Sequence, residues 1–397
     1  MTVSPAQTTT PPAAGPGDAA PDRPPPRVSR SRLLAWYDAD RRRLPWRAEP
    51  GGRPDPYRVL LSEFMLQQTT VATVLGYFER FLARFPTLEA LAAADPAEVM
   101  HAWQGLGYYR RARALHACAR AIVAGYGGRV PAGEAELRAL PGVGPYTAAA
   151  LRAIAFDLPA VPVDGNALRV LARIHRVETP LPAARRRLAE LARPLIASDR
   201  PGDFAQALME LGATVCLPRR PRCDACPWRD ACAARAAGVA EALPRRAPKA
   251  TRPLRRGLAF CLRRDGDGAI LFRRRPEGGL LGGLHALPTS PWTEGPLDVA
   301  EALRRHAPAP PGDGGGAPPV WRLLPGVVRH AFTHFALEAT LAEAQLAGRP
   351  AIAGPGEVWC PPDRLDRLAL PTVMRKLLRH AGLAAAGAPT GGRRGGA

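Results

Sequence analysis

The stretch Leu140-Pro-Gly-Val-Gly-Pro-Tyr-Thr147 decides the fold of the amino-terminal half of this 397-residue chain. Its glycines, Gly142 and Gly144, permit a tight turn with exposed backbone N–H groups, because glycine adopts conformations that other residues avoid. The alanine-rich segment from Thr147 to Phe156 is predicted to be a helix, whose N-terminus adds a partial positive charge. Such a turn binds a DNA phosphate without recognising sequence, although a plain helix N-terminus would show a similar pattern.

Four cysteines follow about 70 residues downstream, with the spacing Cys216-x6-Cys223-x2-Cys226-x5-Cys232. Four thiolates in one short loop can surround an iron–sulfur cubane or a single zinc ion. Two C-x2-C knuckles would favour zinc, but this loop has only one. Seven cysteines are too few for a disulfide scaffold in so long a chain, so a metal site is predicted.

Between the first two cysteines, the segment Leu217-Pro-Arg-Arg-Pro-Arg222 carries three positive charges on a proline-braced turn. Arg219, Arg220 and Arg222 are therefore predicted to contact DNA phosphates. The metal itself is interpreted more simply as a structural element that holds the C-terminal end of the helical region together.

The composition agrees with a polyanionic partner, because 55 Lys and Arg against 35 Asp and Glu give a net charge of +20. A coding bias toward Arg, Ala, Pro and Gly would also raise this charge. No apolar run reaches the roughly 18–20 residues that a membrane span needs. We expect a cytoplasmic, nucleoid-associated protein with no membrane partner.

Hydrophobic periodicity predicts two domains between tails at 1–27 and 383–397. Residues 28–237 are helical in pattern nearly throughout. In Tyr109–Tyr126, for example, one face is predicted to hold Leu115, Ala119, Ile122 and Tyr126, while Arg110, Arg111, Arg113 and Arg120 lie elsewhere. Residues 238–256 are interpreted as a basic linker. Residues 257–382 are predicted to be α+β, with a hairpin turning at Asp265-Gly-Asp-Gly268, helices at 298–306 and 371–381, and strands at 320–324 and 335–341.

Two carboxylates are candidates for breaking an N-glycosidic bond, which requires protonation of the leaving base and stabilisation of the cationic sugar. Glu63 lies in the apolar segment Leu61-Ser-Glu-Phe-Met-Leu-Gln-Gln-Thr69, so its pKa should be raised, as suits a general acid. Asp164 lies in Val163-Asp-Gly-Asn166 after the hairpin helix. The ordinary alternative for Glu63 is a solvated helix residue, and the ordinary alternative for Asp164 is a helix N-cap.

Several of these segments resemble the endonuclease III and MutY DNA glycosylases over about residues 30–380. The glycine turn through Ala148 resembles their helix-hairpin-helix, and the cysteine spacing resembles their [4Fe-4S] loop. The segment around Glu63 resembles the MutY signature most closely. The segments Leu44-Pro-Trp46, Gly105-Leu-Gly-Tyr-Tyr109 and Val163-Asp-Gly-Asn166 match as well.

The resemblance implies a role for each matched residue. Glu63 would protonate adenine N7 and later act on the water, while Asp164 would stabilise the sugar cation with Tyr146 and Asn166 beside it. The flipped adenine would enter a pocket formed by Leu44, Trp46 and Arg47. The residues expected to enter or adjoin the base stack are Gln67, Gln68 and Tyr108. Trp46 and Tyr108 would serve equally well as core aromatics on pattern alone.

Position 146 distinguishes hydrolysis from lyase chemistry within the resembled families. The lyases carry a nucleophilic lysine there, which forms a Schiff base with the sugar. This chain has Tyr146, and it has no lysine before Lys249. We expect hydrolysis with little strand cleavage.

The second domain resembles the MutT-like domain of the MutY family, with His330-Ala-Phe-Thr-His-Phe335 as its best match. Phe332, Thr333 and His334 would form the loop that recognises 8-oxoguanine, with Thr333 keeping the hydroxyl of the usual serine. A buried strand end with one surface histidine is the alternative. The Nudix glutamate cluster is missing around Glu301, so we predict no pyrophosphatase activity and no catalytic Mg²⁺.

The chain departs from the family pattern at three places. His285 stands where relatives often have tryptophan, Phe64 replaces a small aliphatic residue, and residues 49–54 form a Gly/Pro-rich insertion. None of these touches the proposed chemistry. The change at His285 weakens the expectation of lesion contacts.

The sequence therefore predicts a monomeric adenine glycosylase with a [4Fe-4S] cluster, acting on DNA that holds adenine opposite 8-oxoguanine or guanine. A thymine or uracil mismatch glycosylase on the same scaffold is one alternative. A non-catalytic DNA-binding module and a Nudix hydrolase are the others.

The metal prediction is tested by the colour of the purified protein. An iron–sulfur cluster gives broad visible absorption, so the anaerobically purified protein should be brown and contain iron and sulfide. Colourless protein with stoichiometric zinc would contradict the cluster.

Overall fold

The computed structural model describes residues 28–49, 52–248, 251–276, 279–308, 319–347 and 356–383. The predicted tails, apart from residue 383, lie outside these ranges. No helix in the described ranges has the length and apolarity needed to cross a membrane. The chain divides into two compact units, one comprising the residues up to Glu63 with 129–248, and the other 64–128 with the residues from 249 onward. The domain boundaries inferred from sequence stay a prediction.

Every helix and 3-10 turn between residues 30 and 242 supports the predicted all-α region. The helices are α1 (Arg30–Asp40), α2 (Pro56–Leu66), α3 (Val71–Arg84), α4 (Leu88–Ala93), α5 (Pro96–Ala102), α6 (Arg110–Tyr126), α7 (Glu134–Ala139), α8 (Pro145–Ile154), α9 (Gly165–Ile174), α10 (Arg185–Ala192), α11 (Pro201–Thr214) and α12 (Ala233–Ala236).

Helix α11 is central to the first unit, because α1, α8 and α9 all pack against it. The core shared by α1, α9 and α11 contains Tyr37 of α1, Val170 of α9 and Phe204 of α11, all of them buried. Helix α9 approaches α11 closely at Gly212, where an added Cβ would lie 2.6 Å from Cβ of Asn166. Glycine at this position therefore lets α11 come against the start of α9.

The glycine turn joins α7 to α8, as the sequence predicted. Gly142 has φ +77°, a conformation that favours glycine, and Gly144 is the N-cap of α8. The helix begins at Pro145, two residues before the predicted start at Thr147, because proline is favoured at the first helical position and lacks the N–H that would be unpaired there.

In the second unit, α3 to α6 form a helical group in which Trp103 contacts Phe81 edge-on. The predicted apolar face of α6 is confirmed at Leu115, Ala119 and Ile122, which are buried, while Tyr126 at its end is half-buried. The expectation that all the arginines lie elsewhere than this face was wrong for Arg111, which is also buried. Its guanidinium is satisfied by backbone carbonyls, which hydrophobic periodicity does not reveal.

The second unit also contains a sheet of β1 (Leu254–Arg264), β2 (Ile270–Arg274), β3 (His285–Ala286), β4 (Thr293–Glu294), β5 (Arg322–Leu323), β6 (Val328–Ala331), β7 (Ala336–Leu346) and β8 (Glu357–Cys360). Strand β1 pairs in parallel with β7 along its whole length and antiparallel with β2, which confirms the predicted hairpin. Strand β1 begins inside the segment interpreted as a linker, and β5 is shorter than predicted.

The predicted helices of this region are confirmed as α13 (Val299–His306) and α14 (Thr372–His380). They cover different sides of β1. Leu258 and Phe260 share a cluster with Ala302 of α13, whereas Ala259 belongs to the cluster that contains Leu377 of α14. Because β1 is covered on both faces, its apolar run is continuous rather than alternating.

Candidate active site

Glu63 lies near the C-terminal end of α2 and is 6% exposed. Burial is the main cause that raises its pKa to about 7, and the negative charge of Asp164 raises it further. A hydrogen bond from Tyr146 opposes the shift by stabilising the carboxylate. A large fraction of Glu63 is therefore protonated at neutral pH, as a general acid requires.

Tyr146 belongs to the first turn of α8, so the glycine turn fixes its position. Its pKa is raised well above the ordinary value, first by burial and then by the charges of Glu63 and Asp164. The hydroxyl also lies 3.4 Å from Sδ of Met209 on α11. The phenol therefore stays neutral and has two acceptors available, a carboxylate and a thioether sulfur.

Asp164 is the N-cap of α9, so its ordinary interpretation as a cap is confirmed. One carboxylate oxygen accepts from the backbone N–H of Ala167 at 2.7 Å, and the other from Nδ2 of Asn166 at 2.8 Å. Burial raises the pKa of Asp164, but these donors and the charge of Arg169 oppose the rise. Of the two acids, Asp164 has the stronger hydrogen-bond support for its charged form.

Two arginines of α9 connect this acid to the cysteine loop. Arg169 donates to Oδ1 of Asn166 at 2.9 Å and to the carbonyl of Cys216 at 2.7 Å. Arg173 donates to Sγ of Cys216 at 3.2 Å and to the carbonyl of Leu217 at 2.7 Å. The start of the loop is thus tied to the helix that begins at Asp164.

All four cysteines of the loop line one cavity, together with Val170, Ile174, Leu211 and Val215. Burial is the main cause that raises the pKa of Cys226 to about 11, with the charges of the other three thiols adding to it. Within the described ranges, no group of three or more His, Cys, Asp and Glu side chains is arranged to hold a metal ion. The structure brings the predicted cysteine ligands to one place without showing a metal centre.

The predicted adenine-pocket residues lie just after α1. Leu44 and Trp46 are buried, and the Arg47 side chain is 10% exposed. Arg47 donates to Oε2 of Glu210 at 2.7 Å and to the carbonyl of Arg42 at 3.0 Å. Its guanidinium therefore has a fixed orientation before any substrate enters.

The predicted stack-entering residues belong to the other unit. Gln68 and Tyr108 are both exposed, and both adopt left-handed backbone conformations, with φ of +58° and +47°. Gln67 beside them is half-buried. Tyr108 is 51% exposed, which argues against its interpretation as a core aromatic.

The predicted lesion-recognising residues form the turn between β6 and β7, not a buried strand end. Thr333 and His334 are exposed at its tip. Phe332 contacts Phe335 at 4.7 Å and Trp292 at 5.6 Å between ring centroids. The aromatic contacts hold the base of the turn, while the two polar side chains face solvent.

The predicted phosphate-binding residues are accessible. Gly142, Arg219, Arg220 and Arg222 are exposed, and Gly144 is half-buried. The backbone N–H of Arg220 donates to Oε1 of Glu241 at 3.0 Å, which fixes the turn and leaves the side chain outside.

Comparison with known proteins identifies the family. Residues 61–194 match the family described as "HhH-GPD superfamily base excision DNA repair protein", and residues 259–380 match "NUDIX domain". The adenine DNA glycosylase of Mus musculus is 36% identical over an alignment of 406 positions, covering 88% of this chain and 77% of the mouse protein. The chain belongs to the MutY family of adenine DNA glycosylases.

Two further proteins are similar to this chain, one a curated relative and the other a solved structure. An adenine DNA glycosylase of Mycobacterium tuberculosis (strain CDC 1551 / Oshkosh) is 44% identical over 238 residues, covering 59% of this chain and 74% of that protein. A solved thermostable thymine-DNA glycosylase is 32% identical with a TM-score of 0.47, covering 52% of this chain and 95% of that chain.

Glu210 of the glycosylase is a candidate site residue that was not predicted from the sequence. Its side chain is fully buried, and it accepts from Arg42 Nε at 2.6 Å and Nη2 at 2.8 Å, besides Arg47. Burial alone would raise its pKa, but the two guanidinium groups outweigh burial and lower it to about 2. A glutamate within an apolar helix was the available signal, but its partners are more than 160 positions away in the sequence.

The pKa of Glu63 predicts the pH dependence of excision by this glycosylase. If protonated Glu63 is the general acid, kcat/KM should fall about tenfold per pH unit above a pH of about 7, because the acid form is lost. The measurement is a pH profile on one adenine-containing duplex. A profile that stays flat from pH 7 to 9 would contradict this assignment.

Glu210 is predicted to hold the adenine pocket through Arg47. Glu210→Gln leaves two guanidinium groups without their carboxylate, so the free energy of unfolding should fall by about 3 kcal/mol and excision should slow. Chemical denaturation and single-turnover excision measure the two effects. Glu190→Gln, at an exposed ion pair on α10, is the matched control. Excision and stability equal to those of that control would refute the role.

Proposed function

We propose that this glycosylase hydrolyses the N-glycosidic bond of adenine opposite 8-oxoguanine or guanine, with little lyase activity. By family, the chain is a DNA glycosylase of base excision repair that removes adenine. The main observation behind this proposal is that Glu63 is buried and lies near Asp164. The charge of Asp164 raises the pKa of Glu63, in addition to the effect of burial. The two acids have different environments, which suits one for proton transfer and the other for charge stabilisation.

In this mechanism, Glu63 transfers its proton to N7 of the flipped adenine. The bond between C1′ and N9 then breaks, and its electron pair leaves with the base. The carboxylate of Asp164 stabilises the resulting oxocarbenium-like sugar, and Asn166 holds that carboxylate by its hydrogen bond. Water attacks C1′ and gives its proton to the Glu63 carboxylate, which restores the acid.

Tyr146 supports the monofunctional assignment. A neutral, half-buried phenol beside two carboxyl groups lines the sugar side of the site but cannot form a Schiff base. The sequence contains no lysine before Lys249. Adenine therefore leaves as the free base, and the abasic sugar stays in an intact DNA strand.

DNA binding in this proposal is shared by three sets of residues. The turn at Gly142 and Gly144 binds phosphate through backbone N–H groups, and the exposed Arg219, Arg220 and Arg222 bind it by charge. Gln68 and Tyr108 enter the stack, with Gln67 alongside, and offset the few kcal/mol that base flipping costs. Leu44, Trp46 and Arg47 enclose the extruded adenine. The enzyme acts as a monomer.

The proposed cofactor is a [4Fe-4S] cluster held by Cys216, Cys223, Cys226 and Cys232. The donor set fits, because thiolates are the usual ligands of such clusters and all four line one cavity. Two C-x2-C knuckles would favour zinc, and this loop has only one. When bound, the cluster supplies a structural link that fixes the loop bearing the three arginines.

Recognition of the lesion is assigned to the β6–β7 turn. The hydroxyl of Thr333 and the imidazole of His334 are exposed for hydrogen bonds, while Phe332 is held in its aromatic cluster. A turn with a stable base and polar tip suits contact with a damaged base. His285, where relatives often have tryptophan, is half-buried in β3 and lies more than 40 residues before this tip in the sequence.

An excision assay across A·8-oxoguanine, A·G, T·G and U·G duplexes tests the proposal. Under single-turnover conditions, adenine should be removed from the first two duplexes, and borohydride should trap no covalent complex. Glu63→Gln should lower the adenine rate by roughly 10²- to 10⁴-fold, because it removes the transferable proton.

Glu190→Gln is the control for the loss of a glutamate outside the site, and it should retain the wild-type rate. Preferential removal of thymine or uracil would favour a mismatch glycosylase instead. Unchanged adenine excision by Glu63→Gln would refute the mechanism but not the substrate.

A further inference from the structure

Arg111 is a buried cation that the proposed mechanism does not use. It is 8% exposed and lies in the first turn of α6, where the helix dipole disfavours positive charge. None of its hydrogen-bond acceptors is a carboxylate: five are backbone carbonyls and one is a hydroxyl. Because Arg111 neutralises no carboxylate, its burial is better explained by the backbone segments that its guanidinium holds together.

Its guanidinium joins two turns that are about 40 residues apart in the chain. Nη1 donates to the carbonyls of Phe64 at 3.1 Å and Met65 at 2.9 Å, and to the carbonyl of Gln67. Nη2 donates to Oγ1 of Thr69 at 3.1 Å and to the carbonyls of Leu106 and Gly107 at 3.1 and 3.3 Å. One planar group thus fixes both turns.

Each turn presents one exposed residue in a left-handed conformation, Gln68 in the first and Tyr108 in the second. Residues other than glycine keep this conformation only where the surrounding structure imposes it. Arg111 supplies that constraint directly. Its bonds lie on both sides of Gln68, its backbone N–H donates to the Tyr108 carbonyl at 2.8 Å, and its guanidinium lies 5.3 Å from the Tyr108 ring centroid.

We propose that Arg111 is a positioning residue that holds Gln68 and Tyr108 at the separation needed to enter the DNA base stack. The inference rests on the proposed function, in which these two side chains displace the target adenine. Lysine is a poor substitute, because a single ammonium group lacks the planar fork that reaches both turns.

The experiment measures base extrusion separately from the chemical step. A duplex carries 2-aminopurine, an adenine isomer that becomes more fluorescent when unstacked, opposite 8-oxoguanine. Wild type, Arg111→Lys and Thr69→Val are compared. Thr69→Val removes the hydroxyl that accepts from Arg111 and donates to the Gln67 carbonyl at 3.4 Å. Arg120→Met, at an exposed arginine farther along α6, is the control for loss of charge.

The fluorescence rise on binding should be largely lost in Arg111→Lys and reduced in Thr69→Val, with affinity for undamaged duplex unchanged. Adenine excision opposite 8-oxoguanine should fall roughly 10- to 100-fold in Arg111→Lys, as expected for displaced positioning groups. The defect should shrink severalfold when the same adenine faces an abasic site, where it is already unpaired. Arg120→Met should match the wild type in every measurement.

Equal loss of excision on both duplexes would show a general folding defect and overturn the inference, as would wild-type fluorescence in Arg111→Lys. Thermal denaturation of each variant identifies unfolded protein, and Thr69→Val carries the test if Arg111→Lys does not fold. Wild-type protein that excises no adenine would instead refute the proposed function.

Discussion

The burial of Glu63 beside Asp164 is the constraint on which the rest of the first unit depends. Removing two carboxyl groups from water raises the pKa of each, and this arrangement is stable only with hydrogen-bond donors around them. Those donors are the phenol of Tyr146, the amide of Asn166 and the N-terminal N–H groups of α9. The glycine turn, the start of α9 and the end of α2 must therefore converge, and the close contact at Gly212 accommodates that convergence.

Internal arginines brace this architecture. The net charge of +20 suggests a surface shaped for a polyanion, yet Arg111, Arg169 and Arg173 are buried and donate mainly to backbone carbonyls. Each guanidinium joins segments that are distant in the chain, such as α9 and the cysteine loop. Its five fixed donors suit irregular loops, whose carbonyls have no partners in helices or sheets. Part of the basic composition therefore stabilises loops rather than contacting DNA.

Features that depend on interactions local in the chain were predictable from the sequence, whereas those that depend on distant partners were not. Local patterns predicted the all-α region, the glycine turn and the β1–β2 hairpin, because turn residues and periodicity act over a few positions. The buried Arg111 and Glu210 were missed, because a partner distant in sequence decides whether a charged side chain is buried. The tip of the β6–β7 turn was located by resemblance, but its exposure depends on the aromatic cluster beneath Phe332.

The sequence by itself determined the family, the two kinds of domain and the identity of both candidate acids, because motifs and periodicity are properties of the chain. Only the tertiary structure decided that the charge of Asp164 raises the pKa of Glu63 further, that Asp164 has compensating donors and that Arg47 is fixed by Glu210. The physical reason is that desolvation and hydrogen bonding depend on which groups surround an atom. In this protein, α2, α8, α9 and α11 bring those groups together from distant parts of the sequence.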